Sequence, residues 1–195
     1  VPIRSLFPLE DNAPEQLAIP GLSLVRDFIS ADVEQELAAL IDQQPWDTSW
    51  ERRRQPYGRT YGKGKKSPGD IPAWGLELID RLQREGISDR PFNQMLVNEY
   101  LPGQGIALHL DYEPFDRIVA SLSLLAPCVM DFRRVADSRR EALLLERRSL
   151  LVLQDAARYD WEHGIARRKN DRWNGVVIPR QRRLSVTFRR AKDAA

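Results

Sequence analysis

Arg183–Leu184–Ser185–Val186–Thr187–Phe188–Arg189 is the stretch on which the fold turns. Arg183, Ser185, Thr187 and Arg189 are spaced by two, and Leu184, Val186 and Phe188 fall between them. An extended strand sends successive side chains to opposite faces, so this segment presents one polar and one apolar face. Towards the N-terminus, similar short runs recur between turn signals. They are Phe92–Leu101, Ile106–Leu110, Ile118–Leu125, Val129–Phe132, Ala142–Leu145 and Leu150–Leu153. Many short strands at this spacing predict a mainly β fold, a sandwich or barrel rather than alternating βαβ units.

Before Phe92 the texture differs. Residues 1–30 read as irregular, broken by Pro2, Pro8, Pro14 and Pro20. A helix is predicted after Ser30, which can cap it, with Val33, Leu37, Leu40 and Ile41 on one stripe and Pro45 ending it. A second is predicted over Pro72–Arg84, with Pro72 at its first position and Trp74, Leu78 and Leu82 on one face. Trp46, Trp50 and Trp74 are open between core and substrate platform, with core the first reading.

The 195 residues are 42% hydrophobic and 30% charged, which suits one domain with a real core and a solvated surface. Thirty basic against 28 acidic side chains leave a net charge of +2, so function must be sought in local charge patches. Cys128 has no second cysteine to pair with, and it lies in an apolar run. A reduced, cytoplasmic protein is expected. No signal-like segment and no apolar run near the roughly 20 residues needed to span a bilayer is present, so no membrane role is expected. A monomer is the expected state.

Four features carry chemistry. Glu51–Lys66 holds seven basic residues (Arg52, Arg53, Arg54, Arg59, Lys63, Lys65, Lys66) against one acid, interleaved with Tyr57 and Tyr61. This is either a solvated ribbon or a cationic, stacking surface for single-stranded nucleic acid. A shorter basic run, Arg167–Arg168–Lys169 with Arg172, is either a second such surface or an exposed loop. The chain has only two histidines, His109 and His163, and His109–Leu110–Asp111 reads as part of a strand. Residues two apart share a strand face, so His109 and Asp111 would stand side by side. With His163 brought back by the fold, two imidazoles and a carboxylate make the ligand set of non-haem Fe(II) oxygenases. The bland alternative is a satisfied buried histidine and a capping aspartate. Finally, the polar face bearing Arg183 and Arg189 is either exposed or lines a cavity holding an anion, since unpartnered buried guanidinium groups are costly.

The chain resembles the AlkB family of Fe(II)/2-oxoglutarate-dependent dioxygenases. The resemblance is carried by Asn98–Glu99–Tyr100, Pro102–Gly103–Gln104–Gly105, His109–Leu110–Asp111, Ser121–Leu122–Ser123, His163–Gly164 and Arg183–Arg189. It implies a double-stranded β-helix, or jelly roll, with N-terminal helices and a nucleotide-recognition lid. Residues 1–91 would be the extension, helices and basic lid, 92–190 the catalytic core and 191–195 a tail. His109, Asp111 and His163 would hold Fe(II). Arg183, Tyr100 and Ser185 would bind the distal carboxylate of 2-oxoglutarate, with Arg189 and Asn98 near the other. The family often has Asn where Ser185 stands. Glu113 matches a base-contacting acid of the DNA-repair member, or else is a solvated loop acid beside Pro114. Arg147–Leu153, Arg158–Tyr159 and Trp161–Ile165 are similar to the branch fused to a tRNA methyltransferase and to its stand-alone bacterial relatives.

The resemblance implies O₂, Fe(II) and 2-oxoglutarate as cofactors. It implies oxidative demethylation or hydroxylation of modified bases in single-stranded or flipped-out DNA or RNA. Arg54, Tyr57, Arg59, Tyr61 and Glu113 are the expected substrate contacts. Two alternatives are the same chemistry on a protein or small molecule, and a non-catalytic nucleic-acid-binding module that retains the fold.

Overall fold

The computed structural model describes residues 15–59 and 69–192. Two short strands come first, β1 (Glu15–Gln16) and β2 (Leu22–Val25), followed by helix α1 (Ala31–Asp42). Strand β3 (Arg54–Gly58) and helix α2 (Ala73–Arg84) precede β4 (Gln94–Tyr100), β5 (Ile106–His109), β6 (Phe115–Leu124) and β7 (Cys128–Arg134). Then come β8 (Arg140–Leu145), β9 (Leu150–Leu153), the short helix α3 (Asp155–Tyr159) and β10 (Trp161–Ile165). A hairpin of β11 (Asn170–Trp173) and β12 (Val176–Pro179) leads into β13 (Arg183–Ala191).

The strands form a seven-stranded sheet, ordered β1-β2-β9-β6-β13-β4-β3, and a four-stranded sheet, ordered β5-β10-β7-β8. All of their pairings are antiparallel. These two sheets make the jelly roll. All seven runs predicted as strands are strands. The expectation of irregular structure through residue 30 fails, because Leu22–Val25 is a fully buried strand paired with β9. Four apolar residues without alternation fit a strand covered on both faces, a pattern that periodicity alone does not flag.

Both predicted helices form. Ser30 Oγ accepts the Val33 amide at 3.3 Å and caps α1. Pro72 is the N-cap of α2 rather than its first helical residue. Its φ of −65° is compatible with either position. The buried stripes of the helices, including Leu37, Ile41, Leu78 and Leu82, pack on the outer face of the large sheet. That face is built by Leu184, Val186 and Phe188 of β13, Met95 and Val97 of β4, and Leu122 and Leu124 of β6. A second cluster, including Leu24, Cys128, Met130, Phe132, Leu151, Leu153 and Trp161, fills the space between the sheets. Burying each such large apolar side chain contributes roughly 1.5–3 kcal/mol. The inner face of β13 therefore turns towards the small sheet. Among the described residues no helix is long and apolar enough to cross a membrane.

Candidate active site

Strand β10 lies between β5 and β7, and its register places His163 directly opposite His109. The two rings stand 4.6 Å apart between centroids. Glycine makes this approach possible. A Cβ on Gly164 would sit 2.9 Å from Ile106 O and from Leu108 N, and one on Gly105 would sit 2.2 Å from Ile165 O. The ladder shifts register between His163 and Ile165, which re-aims the strand just after the histidine.

Asp111 arrives by another route. Strand β5 ends at His109, so the aspartate is placed by a loop and not by strand alternation. Two arginines hold that loop. Arg189 donates through Nε and Nη2 to Asp111 Oδ1, both at 2.8 Å. The buried Arg158 donates to the backbone carbonyls of Asp111 at 3.1 Å and Tyr112 at 2.9 Å. Asp111 Oδ2 is left buried without a hydrogen-bond partner, 3.6 Å from His163 Nε2. One ligand atom each from His109, Asp111 and His163 lies within 4.8 Å of the others.

The protonation states suit a metal. Burial lowers the His163 pKa to about 4, against the pull of the neighbouring Asp111 charge, so its ring is neutral at pH 7. Burial pushes the Asp111 carboxyl upward, but Arg189, His163, Arg158 and His109 outweigh it and hold it at about 2. His109 Nδ1 lies 2.9 Å from Ala107 O. A carbonyl only accepts, so Nδ1 carries the proton and Nε2 keeps its lone pair for a metal.

Beside these residues the inner face of the large sheet carries a polar stripe. Arg183 pairs across β13·β4 with Tyr100, and Ser185 with Asn98. Across β13·β6, Ser185 pairs with Ser123 and Thr187 with Ser121. This face is buried, not exposed: Arg183 is 2% accessible, and Ser185 and Thr187 are buried too. Ser121 Oγ links Ser185 Oγ at 2.9 Å and Thr187 Oγ1 at 3.3 Å. Arg183 donates one bond, from Nη2 to Ser123 Oγ at 2.7 Å, and its guanidinium lies 5.4 Å from the Tyr100 ring centre. Its Nε and Nη1 are buried and unpartnered, and no carboxylate pairs with it among the described residues. A buried cation with two idle donors is costly and calls for a partner, and a carboxylate matches the guanidinium fork. The donor set and the orphaned atoms thus fit both a divalent metal and a small carboxylate.

The expected substrate contacts separate. Arg54 of β3 stands opposite Asn98, on the site side of the sheet, but it pairs with Asp47 at 3.0 Å and lies over Trp50. Tyr57 is a core residue: it meets Trp74 edge-on at 6.4 Å and donates to Gln55 Oε1, so it offers no exposed stacking face. Arg59 is exposed, and Tyr61 lies outside the described residues, as do Lys63, Lys65 and Lys66. Glu113 is exposed and pairs with Lys192 at 3.3 Å. Trp74 is core as expected, whereas Trp50 is 59% exposed. In the second basic run, Arg167 pairs with Glu51 and Arg168 with Asp171, while Lys169 and Arg172 are exposed. Sequence reasoning did not single out Ser123, Arg158 or Arg52 as site residues. Ser123 and Arg158 lie inside quoted motifs, and Arg52 sits in a charge run whose members look alike.

Residues 27–189 match the model of the 2OG-Fe(II) oxygenase superfamily. The chain belongs to this superfamily, and within it to the AlkB family. It is 34% identical over 178 residues to the uncharacterized protein L905 of Acanthamoeba polyphaga mimivirus, covering 87% of this chain and 84% of that one. It is also 34% identical over 208 residues to the alkylated DNA repair protein ALKBH8 homolog of Arabidopsis thaliana, covering 91% and 60%. It spans only 26% of the Xenopus tropicalis tRNA (carboxymethyluridine(34)-5-O)-methyltransferase alkbh8. Among solved structures, OsALKBH1 superposes with a TM-score of 0.70 at 20% identity, over 90% of this chain and 100% of that one, which shows a shared fold. As a 2OG-Fe(II) oxygenase, this AlkB-family chain is a dioxygenase using Fe(II), 2-oxoglutarate and O₂.

Proposed function

We propose that this AlkB-type dioxygenase oxidises alkylated or otherwise modified bases in DNA or RNA, presented single-stranded or flipped out of the stack. His109 Nε2, Asp111 Oδ2 and His163 would hold the iron, and Arg183, Tyr100 and Ser185 the distal carboxylate of 2-oxoglutarate. Asn98 and Arg189 would stand near its other end. The observation that carries this reading is the pair of buried, unpartnered Arg183 nitrogens on the same interior as the His–Asp–His cluster. Bound iron supplies O₂ activation coupled to oxidative decarboxylation of 2-oxoglutarate to succinate and CO₂.

The protein's own residues set the conditions. Arg189 ties down one Asp111 oxygen and so leaves the other as a single ligand atom. Arg158 fixes the backbone of the loop, and Ala107 O orients the His109 ring. Arg183, Tyr100, Ser185 and Asn98 are all buried, so the pocket they would form is screened from bulk water. A substrate carbon held beside the iron would be hydroxylated; a hydroxylated N-methyl group would then break its C–N bond and leave as formaldehyde, whereas other carbons would keep the hydroxyl.

A nucleic-acid substrate is supported by the relatives' names, which refer to alkylated DNA repair and to tRNA. It is supported too by β3, whose basic segment forms the sheet edge next to β4 and puts Arg54 and the exposed Trp50 beside the site face. Exposed Lys169 and Arg172 would meet phosphates. The test is nucleoside mass spectrometry after incubation with Fe(II), 2-oxoglutarate and O₂. Methylated single-stranded DNA and bulk tRNA are the substrates, and His109→Ala is the control. Loss of a methyl group or gain of one oxygen, absent in the control, is expected. Succinate production without any change in nucleosides would move the substrate to a protein or small molecule.

A further inference from the structure

Four arginines lie at or just before the starts of β3 and β13, and their partners differ. Arg53 pairs with Glu99, Arg54 with Asp47 and Arg182 with Glu99 and Asp42. Arg52 pairs with no carboxylate among the described residues. Its guanidinium is turned inward: Nε donates to Asn98 Oδ1 at 3.2 Å, Nη1 donates to Gly105 O at 2.9 Å, and the group lies 5.0 Å from the Tyr100 ring centre. It is not a swinging surface arm. On one side Glu51 O accepts from Gln104 Nε2 at 2.8 Å, and on the other Arg53 O accepts from the Glu99 amide at 3.1 Å. Residue 52 is therefore pinned through both neighbours, over the Asn98–Tyr100 end of the stripe.

The chemistry of the contact fixes more than a distance. A guanidinium has no lone pair to offer, so the Asn98 atom it meets must be the amide oxygen. The amide NH₂ then becomes the end of Asn98 that is free to donate. Asn98 stands opposite Ser185 on the inner face, one register step from Arg183 and Tyr100. An NH₂ there attracts a carboxylate, whereas a carbonyl oxygen there repels one. Charge points the same way. Asp111 is balanced by Arg189, whereas Arg183, Arg158 and Arg52 have no carboxylate partner among the described residues, so the site carries an excess of positive charge that the two carboxylates of 2-oxoglutarate would meet.

We propose that Arg52, a residue of the basic lid segment, is a positioning residue of the 2-oxoglutarate pocket: it locks the Asn98 amide with its NH₂ towards the cosubstrate and adds positive charge over Tyr100. The lid would thus contribute to cosubstrate binding as well as to substrate binding. The inference rests on the assignment of Asn98 and Tyr100 to the cosubstrate pocket and is independent of whether the substrate is a nucleic acid.

The experiment is an anaerobic titration of the Fe(II)-loaded full chain with 2-oxoglutarate, followed by the visible charge-transfer band of the chelate, for wild type, Arg52→Ala, Arg52→Lys, Asn98→Ala and the Arg52→Ala/Asn98→Ala pair. Thermal melts of the metal-free proteins identify any variant that fails to fold. Arg52→Ala is expected to raise the Kd for 2-oxoglutarate about tenfold, the size of one charged hydrogen bond. Arg52→Lys should recover part of that loss. Because Arg52 acts in large part through Asn98, removing it from Asn98→Ala should cost clearly less than removing it from wild type. An unchanged Kd in a folded Arg52→Ala protein, with only the KM for substrate raised, would overturn the proposal and leave Arg52 to the substrate. Fully additive losses in the double variant would overturn the Asn98 mechanism. If wild type itself shows no band with Fe(II) and 2-oxoglutarate, the cosubstrate-pocket assignment fails first.

Discussion

Arg180 and Arg183 are three residues apart at the entry to the same strand, and both are buried, yet they do opposite things. Arg180 is completed by protein. It donates to both oxygens of the fully buried Asp171 at 2.8 Å and to Ala166 O at 2.6 Å. Asp171 in turn accepts from Arg168 at 2.6 Å and from the Val129 amide at 3.1 Å. Arg183 has one serine hydroxyl, an aromatic face and two idle nitrogens. A buried charge with its counter-charge pins the hairpin to β7; a buried charge without one would hold a place for an anion. Partners, more than burial, distinguish an arginine that holds the fold from one free to take a ligand.

The largest effect is expected on removing the counter-charge of the structural arginine. Asp171→Ala should destabilise the fold by about 3–5 kcal/mol, because it strands Arg180 in the interior. Denaturant titration would read the loss, while the protein that remains folded keeps its affinity for 2-oxoglutarate. Arg183→Met should do the reverse. Decarboxylation at fixed 2-oxoglutarate should fall by roughly two orders of magnitude, about 3 kcal/mol of lost charge pairing. Its melting temperature without cosubstrate should stay level or rise, since two unsatisfied donors leave the interior. Added 2-oxoglutarate at about 100 times its Kd should stabilise the metal-loaded wild type by about 2.7 kcal/mol, and Arg183→Met, with a roughly hundredfold higher Kd, by only about 0.4 kcal/mol, as read by thermal shift.

A gentler test is pH. Burial raises the Asp171 pKa, but its bonds to Arg180, Val129 and Arg168 prevail and hold it below the ordinary value; Glu99 is likewise lowered by Arg53 and Arg182 against burial. A depressed carboxylate contributes stability that is full above its unfolded value, about 3.9 for Asp and 4.3 for Glu, and is lost as pH falls through the folded one. Denaturation midpoints measured from pH 6 down to 3 should fall in that acidic window, and Asp171→Asn should flatten the fall. The smallest effect belongs to an exposed arginine that has a partner. Breaking Arg139–Glu141 at the β8 edge should change stability by less than about 1 kcal/mol.

Much of this was legible in the sequence. Alternation in Arg183–Arg189 gave the strand and its two faces, and the helical stripes gave both long helices. The candidate ligand trio was visible because the chain has only two histidines and an aspartate two residues from one of them. What periodicity left open was which face is buried. Nothing in Arg183 says that β6 and β4 flank it with Ser123 and Tyr100. Tyr57 shows the limit from the other side. In sequence it sits among arginines, but strand alternation in β3 turns it and Gln55 into the core while Arg54 faces the site. Arg52, Arg53 and Arg54 are identical letters whose partners come from 46 or more residues away or from Asp47, and only the folded chain tells them apart. Asp111 was placed correctly beside His109, but by a loop that two distant arginines hold rather than by the strand.

The measurement closest to the central claim is the anaerobic Fe(II) and 2-oxoglutarate titration of wild type against His109→Ala and Arg183→Met. A saturable visible charge-transfer band is expected in wild type and none in His109→Ala. In Arg183→Met the band should need roughly a hundredfold more 2-oxoglutarate. Superimposable titrations of wild type and Arg183→Met would contradict it, because the idle guanidinium would then have no part in holding the cosubstrate.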